Sequence, residues 1–288
     1  MGIVLEVFAT MQKNKTNVCI LGGSDNVVKA IYNDCKKNFN KVVYINFSTK
    51  KINNKSHKGN YNLKVYELKK CLNILKNENI DKILFLGKIL RPNLKDFKLD
   101  GAVDKYLPDI MKSYTKGDGS ILNLIISIFK NEGFKIISIF DASDNFTLNS
   151  SFKRIIHNKN NSDRKDFKKS VKILNSISKY DNAQSVVVSK GYILAIEAAE
   201  GTDEMLKRVY RIKKELGLLK KKEGIFVKIP KKNQNVKIDM PVIGPKTIDL
   251  IFKSKLSALA INRKNTLIYD LDRTIQKIME KKINLYLL

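Results

Sequence analysis

Residues 18–24 read VCILGGS, a β-rich run that closes on Gly22, Gly23 and Ser24 and is followed by Val27, Val28, Ile31, Tyr32 and Cys35 at helical spacing. The same alternation continues downstream. Val42–Phe47 (VVYINF) predicts a second buried strand and Leu63–Leu75 a helix. Lys82–Leu86 (KILFL) predicts a third strand ending at Gly87, Ser120–Glu132 an amphipathic helix stopped by Gly133, and Phe134–Phe140 (FKIISIF) another strand. Strands separated by helices imply parallel pairing, because a parallel neighbour cannot be reached through a tight turn. The first half is therefore read as an α/β, Rossmann-like parallel-sheet domain.

Outward from that domain the pattern changes. Asp141–Asp166, with NKNNSDRKD at its centre, is polar, without apolar period, and reads as a linker. Beyond it Phe167–Tyr180 has helical spacing, and short strands are expected in SVVVSKGYILAIEAAEG, GIFVKIP and KIDMPVIGP. Thr247–Ser254 and Asp272–Lys281 read as helices, Ala258–Ile261 and Thr266–Tyr269 as strands. The partition is an extension over 1–16, a Rossmann-like domain over 17–141, a linker over 142–166 and a mixed α/β domain carrying the catalytic residues over 167–288. Translation from Met11 is also expected, since the first convincing strand begins only at Val18.

A length of 288 residues suits two such domains. Apolar residues at 43% and charged residues at 29%, with 14 Gly and 5 Pro, exclude collagen-like and wholly disordered classes. The longest apolar stretch, Ile121–Phe129, falls far short of the roughly 20 residues a membrane span needs. The first residues lack a basic region ahead of their apolar ones and carry Glu6, so they do not form a secretory signal. Cys19, Cys35 and Cys71 are odd in number and widely spaced, and with His57 and His157 they make neither a zinc pattern nor a Cys–His pair. A reducing cytosol is the expected compartment.

The formal charge of +27 favours nucleic acid, anionic lipid or phosphorylated ligands. Yet 48 of the 55 basic residues are Lys and only 7 are Arg, alongside 29 Asn, a compositional drift that raises charge without any partner. Arg poverty argues against base-specific reading, and no dedicated nucleic-acid partner is expected.

Four constellations carry chemistry. Gly22-Gly23-Ser24 sits where a strand hands over to a helix, a place where bare N–H groups can hold phosphate, although the pattern is not GxGxxG and a tight turn without ligand explains it equally. Lys88 and Arg91 follow the third strand at the carboxyl edge and can grip a phosphate there, or be solvated loop charges. In Glu197-Ala-Ala-Glu200-Gly201-Thr202-Asp203-Glu204 a strand carboxylate is followed by a Gly turn with further carboxylates and a hydroxyl, suited to a hard cation. The competing reading is that Thr202 or Asp203 caps a helix. Asp239 precedes Pro241, Gly244 and Pro245, a rigid turn that suits a metal ligand or a positioner of water, or an ordinary turn residue. No Ser–His–Asp set is present, so metal-assisted hydrolysis fits the inventory better than covalent catalysis.

SVVVSKGYILAIEAAEGTDEMLKR and GIFVKIPKKNQNVKIDMPVIGPKTID resemble, in order and spacing, the C-terminal signatures of the LpxI-type UDP-2,3-diacylglucosamine pyrophosphatases of lipid A biosynthesis in Gram-negative bacteria. VCILGGS resembles that family's opening strand, LGKILRPNLKDF its mid-domain loop and GDGSILNLIISIFKNEGFKII its last long helix and strand, so the resemblance runs over 17–283. It implies two domains gripping the substrate between them and hydrolysis of UDP-2,3-diacylglucosamine to UMP and 2,3-diacylglucosamine 1-phosphate. It implies a divalent metal, Mg²⁺ or Mn²⁺, held by Asp239, Glu200 and Asp203, with Asp239 the essential aspartate. Substrate contacts are implied for Gly22, Gly23, Ser24, Lys88, Arg91, Gln184, Thr202 and Lys228. A homodimer is implied, and a basic chain acting on a lipid is expected at the cytoplasmic face of the inner membrane as a peripheral protein. The chain departs from the family pattern at Asp25-Asn26-Val27-Val28, where a further Gly and Leu-Pro are usual, and in its short end, NLYLL. The rival readings are a UDP-sugar-binding protein or transferase that does not hydrolyse, and a basic membrane- or RNA-surface module.

Overall fold

A computed structural model describes residues 14–47, 59–87, 104–114, 118–143, 145–148, 152, 155, 161–180, 183–231 and 238–288. They form two compact units that divide between Ser143 and Asp144.

In the first unit β1 (Asn14–Gly22), β2 (Phe39–Asn46), β3 (Asn60–Asn62), β4 (Lys82–Leu86) and β5 (Lys135–Ile137) make one sheet in the order β3-β2-β1-β4-β5. Every pairing is parallel. The strands are apolar without alternation because helices cover both faces, and Val18, Ile20, Leu21, Val43, Ile45, Ile83 and Leu84 are fully buried. The helices are α1 (Asn26–Asn38), α2 (Leu68–Asn77), α3 (Leu107–Tyr114), α4 (Asp118–Asn131) and the single turn α5 (Ile139–Ala142). Burial pushes the thiols of Cys35 and Cys71 up to about 12 and that of Cys19 well above its ordinary value, so all three behave as small core residues.

Two sequence expectations shift here. The helix expected from Leu63 begins only at Leu68, because Lys64 N–H donates to Glu67 Oε2 at 2.8 Å and Glu67 N–H to the Lys64 carbonyl at 2.9 Å, closing a turn first. The strand expected over Phe134–Phe140 stops at Ile137, where Ser138 and Asp141 form a reciprocal capping box that starts α5.

The second unit opens with α6 (Asn161–Ile177), whose first turns occupy the end of the stretch read as linker. Those turns lack apolar period because Asp163 and Asp166 face inward. Fully buried Asp163 accepts from Ser257 Oγ at 2.8 Å and Asn284 Nδ2 at 3.3 Å. Asp166 accepts the Lys190 and Gly191 N–H groups at 2.8 Å each. The sheet consists of β6 (Ser185–Ser189), β7 (Tyr192–Ile196), β8 (Ile225–Lys228), β10 (Ala258–Ile261) and β12 (Asn284–Leu287), ordered β12-β10-β8-β6-β7, with only β6 antiparallel to its neighbours. β9 (Val242–Ile243) and β11 (Leu267–Ile268) pair apart from it. α7 (Gly201–Glu215), α8 (Pro245–Lys253) and α9 (Leu271–Glu280) bury Met205, Leu206, Ile248, Ile251 and Ile278 against Val187, Phe226, Leu259 and Leu285 on one face. Leu174 of α6 packs against Val186, Val188, Ile225, Val227, Ala258 and Ala260 on the other. Both units are α/β, the first Rossmann-like, the second with a mixed sheet. Among the described residues no helix is long and apolar enough to cross a membrane.

Candidate active site

Strand parity decides where Lys228 goes. Ile225 and Val227 face α6, so Phe226 and Lys228 face α7, and Lys228 ends the strand with its stem in the core and its ammonium at the carboxyl edge. β6 runs the other way, so its first residue, Ser185, lies opposite Lys228, and the Glu197 N–H donates to the Ser185 carbonyl at 3.0 Å. Glu197, Ser185 and Lys228 thus form one row across β7, β6 and β8.

The side chains of that row are joined. Glu197 accepts from Ser185 Oγ at 2.6 Å and from Thr202 Oγ1 at 2.8 Å. The Thr202 hydroxyl in turn accepts from Lys228 Nζ, which stands 4.0 Å from Glu197 Oε1. Lys228 is only 5% exposed. Burial lowers its pKa, and the charges of Glu197, Asp203 and Asp239 oppose that fall. A nearly dry ammonium can donate to a diphosphate oxygen, and the carboxyl edge of an open sheet is where α/β folds present such groups.

Gly201 starts α7 with φ +79°, a left-handed conformation that a side chain would strain, and so aims Thr202 back at the row. Neither Thr202 nor Asp203 caps the helix. Glu200 occupies the N-cap position with no side-chain cap bond, and Thr202 is committed to Glu197 and Lys228. Asp203 pairs with Lys246 of α8 at 2.6 Å. Pro245 as the first residue of α8 fixes where Lys246 begins its reach. Half-buried Asp239 precedes that segment, and its field reaches Lys228.

The structure therefore joins Thr202 to Lys228, and the charges of Asp203 and Asp239 are felt at the same ammonium. It diverts Glu200, whose carboxylate is held by Arg208 Nη2 at 2.6 Å while the same nitrogen donates to the Ile196 carbonyl at 3.0 Å. Gln184 sits beside Ser185, its carbonyl accepting the Ile229 N–H at 2.9 Å. Lys88 and Arg91 lie outside the described residues. Gly22, Gly23 and Ser24 belong to the other unit, at the point where its strand order reverses between β1 and β4. Packing accounts for Gly22: a Cβ there would lie 1.8 Å from the Leu86 carbonyl oxygen, which also accepts the Gly23 N–H at 3.1 Å. Asp25, where the family pattern is broken, caps α1 by accepting the Val28 N–H at 2.9 Å.

Sequence reasoning names Glu197 as the strand carboxylate of its cluster but gives it no site role, and it misses Ser185, Arg208 and Lys246. The signal for Glu197 was its place at the end of β7. Its partners, however, are fixed by strand register and by the helix that follows.

Among the described residues no group of three or more His, Cys, Asp or Glu is disposed to hold a metal ion. Mg²⁺ commonly takes one or two carboxylates and completes its shell with water and substrate phosphates. The hard oxygens of Asp203 and Asp239 fit that shared mode, and a closed protein cage does not form among the described residues.

The LpxI N-terminal domain profile matches residues 17–146 and the LpxI C-terminal domain profile residues 154–286. The UDP-2,3-diacylglucosamine pyrophosphatase LpxI of Caulobacter vibrioides is 29% identical to the chain over 211 residues, which is 73% of this chain and 75% of that protein. With both domains matched in order along nearly its whole length, the chain belongs to the LpxI family.

Proposed function

We propose that the chain hydrolyses UDP-2,3-diacylglucosamine to UMP and 2,3-diacylglucosamine 1-phosphate in lipid A biosynthesis. The reading rests on family membership and on one observation: the buried Lys228 ammonium, held by Thr202 and Glu197, beside Asp203 and Asp239 at a sheet's carboxyl edge. Water adds to the α-phosphorus, and the bond from that phosphorus to the bridging oxygen breaks. The bridging oxygen leaves on the sugar phosphate and the water oxygen stays on UMP. Lys228 neutralises diphosphate charge, Thr202 fixes the ammonium's direction, and Asp239 orients the attacking water. A divalent cation, Mg²⁺ or Mn²⁺, shared by Asp203, Asp239 and the substrate would supply further charge neutralisation. Glu200 holds Arg208, which donates to the Ile196 carbonyl next to Glu197. Because the substrate is a lipid, the enzyme works as a peripheral protein at the cytoplasmic face of the inner membrane, and its family resemblance supports a homodimer.

The test is UMP release from UDP-2,3-diacylglucosamine by purified protein, with Mg²⁺ or with EDTA, alongside Asp239→Ala. Metal-dependent release, lowered at least about 1,000-fold in a folded Asp239→Ala protein, is expected. Binding of substrate without release under either condition would move the assignment to a UDP-sugar-binding protein.

A further inference from the structure

At the opposite, amino-terminal edge of the second unit's sheet, the chain gathers lysines from separate connections. The loops entering β8, β10 and β12 are hydrogen-bonded to one another: Glu223 N–H to the Lys255 carbonyl at 2.9 Å and Asn284 N–H to the Ser257 carbonyl at 2.9 Å. Each loop sends a lysine to one aromatic ring. The ammonium groups of Lys222, Lys255 and Lys281 stand 4.8, 5.5 and 4.4 Å from the centroid of Phe252. Lys253 lies over Tyr210 at 5.0 Å. Burial lowers the pKa of Lys222, and Lys255, Lys282 and Lys281 lower it further, so the like charges are close enough to feel one another. Helix dipoles favour Lys213, Lys214 and Lys277 in the last turns of α7 and α9, but they do not explain lysines on three loops converging on one ring.

The acids on this face are fewer than its lysines: Glu215 is exposed next to Leu216, and three others are engaged. Asp249 pairs with Lys277 and Lys281, Glu223 with Lys190, and Glu280 accepts from Gln276. The loops are also braced from beneath: the ammonium of Lys213, 1% exposed, donates to the Glu223 and Lys255 carbonyls at 2.9 and 2.8 Å. Large apolar side chains protrude from the same edge, Leu216 at 62% exposure and Met279 at 49%, with Leu218 beside them.

We propose that this edge is the surface by which the protein docks on an anionic phospholipid layer, lysines to headgroup phosphates and Leu216, Leu218 and Met279 into the interface. Lysines around protruding leucines fit a lipid surface, where apolar tips gain burial, better than RNA, which rewards arginine and stacked aromatic faces. The inference deepens the lipid-enzyme reading. Docked this way, the Lys228 edge stands off by the length of the strands, on the order of 15 Å, so the substrate must rise from the bilayer to bring its diphosphate there.

The experiment is co-sedimentation of the full chain with phosphatidylglycerol-containing or pure phosphatidylcholine vesicles, for wild type, Lys222→Gln/Lys255→Gln/Lys281→Gln, Leu216→Ser/Leu218→Ser, and a control triple at Lys37, Lys69 and Lys130 of the other unit. Circular dichroism confirms that each variant is folded, and UMP release from detergent-dispersed substrate is followed in parallel. Wild type should bind anionic vesicles only. A lysine near an anionic surface contributes roughly fivefold in affinity, so the patch triple should lose about 100-fold. The control should lose much less, the leucine pair should weaken binding at high salt, and turnover in detergent should stay unchanged throughout. Equal losses in the patch and control triples would show that net charge alone acts, and overturn the proposal. Loss of poly-uridylate binding with vesicle binding intact would overturn it in favour of RNA. Loss of turnover in wild type with vesicle binding intact would sink the hydrolase and leave the surface standing.

Discussion

Each unit has a sheet whose carboxyl edge carries a glycine turn into a helix, yet the two edges are built for different ends. At Gly22-Gly23 of the first unit, the missing side chain lets β1 approach β4, the Gly23 N–H is taken by Leu86, and a carboxylate, Asp25, sits at the helix start. At Gly201 of the second unit nothing crowds the glycine, no side chain caps the helix, and the first-turn hydroxyl is committed to a buried lysine and a carboxylate. The lesson is that a glycine turn at a sheet edge shows where a ligand can approach. What the neighbouring polar groups bond to shows whether the turn is tied into backbone packing or into a network of charged side chains.

Three substitutions sharpen or break this contrast. Gly22→Ala should have the largest effect on the fold: the new Cβ collides with backbone rather than a flexible side chain, and stability of the first unit should fall by at least about 3 kcal/mol in urea unfolding. A stable variant with raised KM would mean that the turn holds substrate after all. Next, Glu197→Gln should lower kcat 10- to 100-fold with little change in KM, because Thr202 and Lys228 lose the carboxylate that orients them. It should also move the alkaline limb of kcat/KM to lower pH: Glu197 favours the charged form of Lys228, so removing that charge lets the ammonium deprotonate sooner. A loss of kcat with an unmoved pH profile would reduce Glu197 to a packing role. Smallest is Asp25→Ala, which removes an N-cap and should cost about 1 kcal/mol while leaving KM unaltered. A tenfold change in KM there would erase the distinction between the two edges.

Much of the architecture was legible beforehand. Lys82–Leu86 reads as a strand and is one, residue for residue, because an apolar run bounded by a charged turn and a glycine leaves few alternatives. The strand read over Phe134–Phe140 ends early, since a serine and an aspartate three apart can stop a strand by capping a helix turn. The start of α6 was missed for a related reason. Asp163 and Asp166 are polar residues facing inward, and periodicity counts only apolar ones. At the site, the motifs name Glu200, Thr202, Asp203, Lys228 and Asp239, whereas the bond from Arg208 Nη2 to the Glu200 carboxylate, two helical turns away, is not legible in them.

Local pattern by itself determined the α/β class and most of the helices and strands, because spacing, glycine and proline act within a few residues of where they stand, and the resemblance of its motifs pointed to the family. Only the tertiary structure decided that Glu197, Ser185 and Lys228 share a row, that the Gly22 turn is a packing device, and that Lys222, Lys255 and Lys281 meet over Phe252. Those are consequences of strand register and crossover direction, which bring residues tens of positions apart to one edge and leave no trace in local periodicity.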